Sequence, residues 1–166
     1  MARNYYTVGY RLAGLDLYLI WFSNESDGVV VEGDGAVPSF RTQADLCVYA
    51  RRRGLRLETE ATPVFDFDSV AHWLRNPDRR MIDCVVFLNA WNLFGDVASS
   101  TGHAAFDRSS RNAAGTYAKL FWGNNLPAVT APEEHYFPAW SDGEVADLHR
   151  VLSDGMRLFR KGVKVI

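Results

Sequence analysis

Two aspartates and a histidine come closest to a catalytic set in this sequence. Asp66 and Asp68 occupy alternate positions in the stretch VFDFDS, and His72 follows shortly after them. Side chains at alternate positions of an extended chain point to the same side, so the two carboxylates could serve as acid and base in a hydrolase. An aspartate at the start of a helix also caps free backbone N–H groups. We favour the capping role and keep the hydrolase, with His72 as its third residue, as an alternative.

No other motif for bond-making chemistry is present. The sequence has neither a GxSxG nucleophile elbow nor the glycine pattern of a dinucleotide or P-loop site. Glu133 and Glu134 beside His135 could bind a metal, but a solvated loop explains them better. The histidines are too far from one another and from the cysteines for the usual zinc spacing; they are His72, His103, His135 and His149. We therefore expect no catalytic residue, no metal and no cofactor.

Acidic side chains gather in two segments, residues 23–40 and 57–74, that contain no lysine or arginine. Residues 41–56 between them carry five of the arginines, so the net charge of −2 hides alternating patches. Nothing marks the chain as a general nucleic-acid binder. If the acidic segments share a surface, it would attract a basic partner; otherwise these charges serve solubility and helix capping. The carboxylates concerned are Glu25, Asp27, Glu32, Asp34, Glu58, Glu60, Asp66 and Asp68.

A helix over about Ile82–Ser99 is expected to organise the fold. Apolar residues almost surround it, which is typical of a helix buried on several sides. Its longest unbroken apolar run, Cys84–Leu88, is far shorter than the ~18 residues of a membrane span. One polar stripe, formed by Asn89, Asn92 and Asp96, lies on a single face because of its spacing. The stripe either meets water, forms an internal hydrogen-bond network or, in an adaptor or structural module, faces a second copy in a homodimer.

The remaining elements predict an α+β fold, a single domain over residues 1–166 in which an N-terminal antiparallel sheet of three to four strands packs against about five helices. Short turns between the first strands favour an antiparallel meander. The predicted strands are Tyr5–Leu12, Asp16–Phe22, Gly28–Glu32 and Leu55–Thr59. The other predicted helices begin after Thr42, after Asp66 or Asp68, near Arg111 and at the capping box Ser141–Glu144. Loops are predicted over Ser99–Ser110 and Asn124–Ala139.

The cysteines and the N-terminus bear on the compartment. Cys47 and Cys84 each lie in an apolar helical pattern, which predicts that both are buried and reduced. The stretch MARNYYTVGYRL shows no apolar signal-peptide segment. We therefore expect a cytoplasmic protein.

Four stretches in combination resemble a known family. They are YRLAGLDLYLIWF with the acidic turn after it, VPSFRTQADL, IDCVVFLNAWNLFGD and KLFWGNNLPAVT. Together they resemble small bacterial proteins of polymorphic-toxin loci, and more narrowly the immunity proteins of contact-dependent growth inhibition systems. The resemblance implies a cytoplasmic, non-catalytic protein that binds and neutralises a cognate C-terminal toxin domain, often a nuclease. It implies no direct contact with nucleic acid or membrane, and it transfers no binding residue because immunity families differ in fold.

The charge pattern is compatible with such a role. A nuclease cleft is basic because it must attract phosphate, so an inhibitor with clustered carboxylates can occupy it. Exposed aromatic side chains supply the energetic centre of many interfaces, and the loop Tyr136–Trp140 is the best source of them here. We expect a monomer whose partner-binding surface comprises Tyr136, Trp140 and the carboxylates Glu25, Asp27, Glu32, Asp34, Glu58, Glu60, Asp66 and Asp68.

Overall fold

The computed structural model describes residues 2–166 and has the predicted α+β fold. The strands are β1 (Asn4–Leu12), β2 (Leu15–Ser23), β3 (Gly28–Val29), β4 (Val37–Ser39), β5 (Val64–Asp66) and β6 (Val163–Val165). The α-helices are α1 (Gln43–Arg52), α2 (Phe67–Arg75), α3 (Cys84–Thr101), α4 (Ala104–Asn112), α5 (Ala114–Gly123) and α6 (Asp142–Gly162). Short 3₁₀ turns cover Arg79–Met81 and Pro132–Glu134.

The main sheet has the strand order β3-β2-β1-β5. Strands β1, β2 and β3 form the predicted antiparallel meander, with Leu12 paired to Leu15 across the first turn. Ala13 and Gly14 both have positive φ in that turn, as a two-residue hairpin of the favoured twist requires. The carboxylate of Asp68 accepts both of their backbone N–H groups, at 2.7 and 2.8 Å. A side chain of α2 therefore fixes the turn of the hairpin.

The sheet differs from the prediction at the edge formed by β5. β5 pairs in parallel with β1, so the sheet is mixed and not wholly antiparallel. The predicted strand Leu55–Thr59 shrinks to a single bridge between Leu57 and Tyr5. A separate two-stranded sheet joins β4 to β6 in parallel. Both parallel pairings connect segments far apart in the chain, and a run of apolar residues does not indicate such a partner.

Helices α1, α2 and α6 begin at predicted caps, whereas the cap of α3 was not predicted. Asp83 caps the buried helix α3, Thr42 caps α1, and the Ser141–Glu144 capping box starts α6. The predicted loop Ser99–Ser110 is wrong, because α4 occupies much of it. Its small polar residues conceal an amphipathic pattern in which Phe106 faces the core.

Cys47 is exposed and Cys84 is half-buried, so the prediction that both thiols are buried is wrong for Cys47. Helix α1 packs on the sheet with Leu46, Ala50 and the partly buried Tyr49, and Cys47 and Val48 are exposed. The buried side of this helix is narrow, so its other apolar side chains remain exposed.

Helices α2, α3 and α6 pack on one face of the sheet, and α1 packs on the other. Phe67, the first residue of α2, sits where these layers meet. Its ring lies 5.0 Å from those of Phe94 and Phe159 and 5.7 Å from that of Tyr10, measured between centroids. Within residues 2–166, no helix combines the length and the apolar character needed to cross a membrane.

Candidate binding groove

A groove of about 900 Å³ opens between the sheet and the helices α3, α4 and α5. The first strands supply one wall, the segment that leads into β5 supplies the rim, and α3 supplies the opposite wall. A smaller cleft of about 470 Å³ adjoins it and shares Gly95, Phe106 and Ser110. The groove is lined by Tyr6, Thr7, Val8, Trp21, Ser23, Asp27, Glu58, Glu60, Ala61, Pro63, Phe65, Asn89, Trp91, Asn92, Leu93, Gly95, Asp96, Phe106, Ser110 and Tyr117.

Aromatic rings in the walls are held by packing and hydrogen bonds. Tyr6 packs against Trp21 with ring centroids 5.6 Å apart, and Trp91 meets Tyr117 edge-on at 5.3 Å. The indole N–H of Trp91 donates to the hydroxyl of Ser110 at 2.9 Å. These contacts fix apolar faces before any ligand arrives, which lowers the entropy cost of binding.

The polar stripe of α3 forms part of the groove, since Asn89, Asn92 and Asp96 all line it. The stripe also makes internal hydrogen bonds. The hydroxyl of Tyr117 donates to Asn92 at 2.9 Å, and the indole N–H of Trp21 donates to Asp96 Oδ2 at 2.8 Å. Two of the three alternatives left open by the sequence, exposure to water and an internal network, therefore both apply, and the homodimer remains a prediction.

Asp96 is the most unusual titratable group of the groove. Burial raises its pKa to about 6, the hydrogen bond from Trp21 opposes that rise, and the nearby charge of Asp27 adds to it. The lining contains three more carboxylates and no lysine or arginine. Among residues 2–166, no basic side chain forms an ion pair with Asp96, Asp27, Glu58 or Glu60. The groove thus combines aromatic walls with uncompensated negative charge.

Three of the predicted partner-binding carboxylates lie together in this groove. Asp27 comes from the first acidic segment, and Glu58 and Glu60 come from the second. The two segments therefore share a surface, although only part of each contributes to it. Glu25 is exposed in the turn before β3 but does not line the groove.

Two further carboxylates of the first acidic segment are engaged in the fold. Glu32 accepts hydrogen bonds from the hydroxyl of Tyr49 and from Arg53. Asp34 accepts from the backbone N–H of Ala36 at 2.9 Å and closes a local turn. Neither side chain lines the groove.

The structure gives Asp66 the helix-capping role that the sequence favoured. Asp66 accepts the backbone N–H and the hydroxyl of Ser69, at 3.0 and 2.6 Å, and the hydroxyl bond is the main reason that its pKa is lowered. Asp68 holds the β1–β2 turn. His72 is exposed on α2, and none of the three residues lines the groove. Over residues 2–166, no three His, Cys, Asp or Glu side chains are grouped to hold a metal ion.

The loop Tyr136–Trp140 lies away from the groove. Trp140 is only 8% exposed, so the prediction that it offers an exposed aromatic surface is wrong. The reason is that it packs into the core at the start of α6. Tyr136 is 38% exposed, and Asn125 holds its backbone on both sides. Phe137, at 82% exposed, is the aromatic ring that this loop presents to solvent.

Sequence reasoning missed the groove and, with it, Trp21, Trp91 and Asp96 as candidate binding residues. Two signals were available. The first was the polar stripe on an otherwise apolar helix, and the second was the presence of acidic residues at the ends of the first strands. The sequence does not indicate that Trp21 contacts Asp96, because the two residues lie far apart in the chain.

The pKa of Asp96 leads to a first prediction. A pKa raised from 3.8 to about 6 means that the fold favours the protonated acid, so the stability that this acid contributes is full below pH 4 and is lost as the pH rises through 6. Asp96→Asn should therefore raise the free energy of unfolding by about 1–2 kcal/mol at pH 8, allowing for partial contact with water, and change it little at pH 4. Urea unfolding of both proteins at the two pH values measures this; a variant less stable than wild type at pH 8 would contradict it.

Comparison with known proteins shows a relation at the level of the fold. Searches against protein-family models and against curated proteins find no match. Among solved structures, the crystal structure of the SatS C-terminal domain in complex with bromine superimposes with a TM-score of 0.61. The match covers 98% of this chain and 94% of that chain at 12% sequence identity. The chain therefore shares its overall fold with the SatS C-terminal domain.

Proposed function

We propose that this protein acts without catalysis, by binding another protein whose basic and apolar segment enters the groove. The observation that carries the proposal is the composition of the lining. The groove is lined by aromatic side chains and four carboxylates, and by no lysine or arginine. A ligand that fills it must bring apolar surface and positive charge together, and a polypeptide segment with lysine or arginine among apolar residues does so.

The groove and the adjoining cleft together are large enough for a polypeptide segment. Pockets for small molecules enclose roughly 300–1,000 Å³. The groove reaches the upper part of that range by itself, at about 900 Å³, and the adjoining cleft along α4 extends it. A chain segment that runs from the groove into the cleft would contact Gly95, Phe106 and Ser110, which the two share.

The partner that we propose is a cognate bacterial toxin domain, and the protein would be its immunity protein. The support is twofold. The sequence stretches given above resemble immunity proteins of contact-dependent growth inhibition systems, and the acidic groove suits a toxin with a basic surface, such as a nuclease. The negative charge would speed docking, and the aromatic walls would supply most of the affinity. This role needs no cofactor and fits a cytoplasmic protein.

The direct test is growth rescue. A toxin domain encoded next to this protein's gene is expressed in a bacterial host with and without the protein. We expect the protein to restore growth and to co-purify with the toxin domain. Continued cell death, with both proteins present in soluble form, would overturn the proposal.

The exposed carboxylates of the groove should control the rate of association. We expect the double substitution Glu58→Gln and Glu60→Gln to slow association with the toxin domain by about ten-fold at low salt, because steering by exposed charges acts on the association rate. The effect should shrink at 0.5 M salt, where charges are screened. Stopped-flow mixing at the two salt concentrations measures it.

The matched control for this experiment removes the same two charges elsewhere. Glu133 and Glu134 are exposed and lie outside the groove. Their conversion to glutamine removes the same amount of negative charge but leaves the groove intact, so the association rate should stay near that of wild type. Equal slowing by both double variants would mean that overall charge, and not the groove, steers the partner.

A further inference from the structure

Asp96 and Trp21 form a hydrogen-bonded pair in the lining of the groove, and together they have the properties of a subsite for one positive charge. Asp96 projects from α3 on the same face as Asn89 and Asn92, and Trp21 reaches it from β2. The indole N–H holds one carboxylate oxygen, Oδ2, at 2.8 Å. Within residues 2–166, the other oxygen accepts no hydrogen bond from a side chain. The carboxylate is thus fixed in position with one oxygen left for a ligand.

We propose that Asp96 is the specificity-determining residue of the groove and anchors a single lysine or arginine side chain of the bound partner. The inference rests on the proposed function and adds to it the position of the partner's decisive charge. An ammonium or guanidinium group would donate to the free oxygen Oδ1, and the alkyl stem would lie along the aromatic rings of Tyr6 and Trp21. Long basic side chains bind in this way because their stems are apolar and only their ends are charged.

The charged groups around Asp96 favour a cation. The charged groups that line the same groove are Asp27 from the β2–β3 turn and Glu58 and Glu60 from the segment before β5. All are acidic. The helices α4 and α5 contribute Phe106, Ser110 and Tyr117, which are uncharged. A bound cation would therefore reduce the electrostatic repulsion between these carboxylates and Asp96.

The cost of an ionised Asp96 supports the same conclusion. Burial and Asp27 raise the pKa of Asp96 to about 6, so the fold is less stable at neutral pH than it would be with a neutral residue in that position. A destabilising charge that is held in a groove is typical of a functional site. A bound cation would stabilise the ionised carboxylate, and cation binding should accordingly weaken as the pH falls from 7.5 to 5.

Synthetic peptides test the inference without the natural partner. The probe is acetyl-Gly-Leu-Leu-Lys-Leu-Leu-Gly-amide, and its counterparts carry arginine or norleucine in place of lysine; norleucine keeps the stem and lacks the charge. We expect the lysine and arginine peptides to bind wild-type protein about ten-fold more tightly than the norleucine peptide. Titrations followed by fluorescence give the affinities. The NMR signal of the Trp21 indole N–H reports contact with the subsite itself.

Two variants separate the subsite from the general charge of the groove. In Asp96→Asn, which keeps an acceptor for Trp21, the preference for lysine over norleucine should disappear. In Asp27→Asn, which removes a neighbouring charge from the same groove and leaves Asp96 in place, the preference should weaken but not disappear. A lysine preference retained in Asp96→Asn, or binding that leaves the Trp21 indole signal unshifted, would overturn the assignment of Asp96.

The outcome also distinguishes this inference from the proposed function. If wild-type protein fails to prefer the lysine and arginine peptides over the norleucine peptide, the subsite is excluded. Growth rescue by the intact protein then decides separately whether the protein neutralises a toxin. If the peptides behave as expected and rescue fails, the subsite stands and the toxin partner is wrong.

Discussion

Replacing Phe67 by alanine should lower the free energy of unfolding by about 3–5 kcal/mol. Phe67 is 0% exposed, and its ring contacts those of Tyr10 in β1, Phe94 in α3 and Phe159 in α6. Its removal leaves a cavity where the sheet meets α3 and α6. Since whole domains are stable by only about 5–15 kcal/mol, much of the native population should be lost on mild heating.

Urea unfolding followed by circular dichroism measures this loss, and Phe137→Ala is its control. Phe137 is 82% exposed, so the same change of side chain should alter the free energy of unfolding by no more than about 0.5 kcal/mol. A loss below about 1 kcal/mol in Phe67→Ala would mean that contacts of other residues hold the sheet against α3 and α6.

The parts of the fold that the sequence predicts are those that local physics determines. The hairpin of β1 and β2 follows from two runs of β-branched and aromatic residues separated by a short turn. Thr42 and the Ser141–Glu144 box start their helices through hydrogen bonds that span three residues. Each of these signals involves side chains and backbone groups close together in the sequence.

The unpredicted parts depend on contacts between distant segments. β5 joins the sheet next to β1, more than fifty residues away in the chain, and β6 at the end of the described chain pairs with β4. Three-residue strands carry too little pattern to be recognised without their partners. Helix α4 was missed for a related reason, since its composition is that of a loop and only the packing of Phe106 defines its buried face.

The candidate site shows the same division. The acidic segments and the stripe on α3 were visible in the sequence, but their meeting in one groove required the tertiary fold. Asp66 and Asp68 show that a carboxylate can have a structural role instead, because they accept backbone N–H groups of a helix start and of the β1–β2 turn. An aspartate next to a helix start is thus weak support for a binding role. An aspartate in the middle of a buried helix, as Asp96 is, is far stronger.

Gly95→Arg should abolish most of the binding to the partner, with a loss of affinity on the order of 100-fold. Gly95 lines both the groove and the adjoining cleft, so an arginine there would fill the space that the proposed partner enters and would add a positive charge. The protein itself should tolerate the change. A Cβ at this position would meet only Phe106, at an ordinary contact distance of 3.5 Å. Arginine also has about 0.5–1 kcal/mol better helix propensity than glycine.

Gly115→Arg is the matched control, because Gly115 also lies in a helix and is exposed, and a Cβ there would meet nothing within 4 Å. It adds the same side chain and the same charge outside the groove, so affinity for the toxin domain should stay within about two-fold of wild type, as for most exposed substitutions. Titration calorimetry gives both affinities, and thermal unfolding verifies that both variants are folded. If folded Gly95→Arg binds as tightly as Gly115→Arg, the partner does not enter the groove, because no segment can share that space with an arginine side chain.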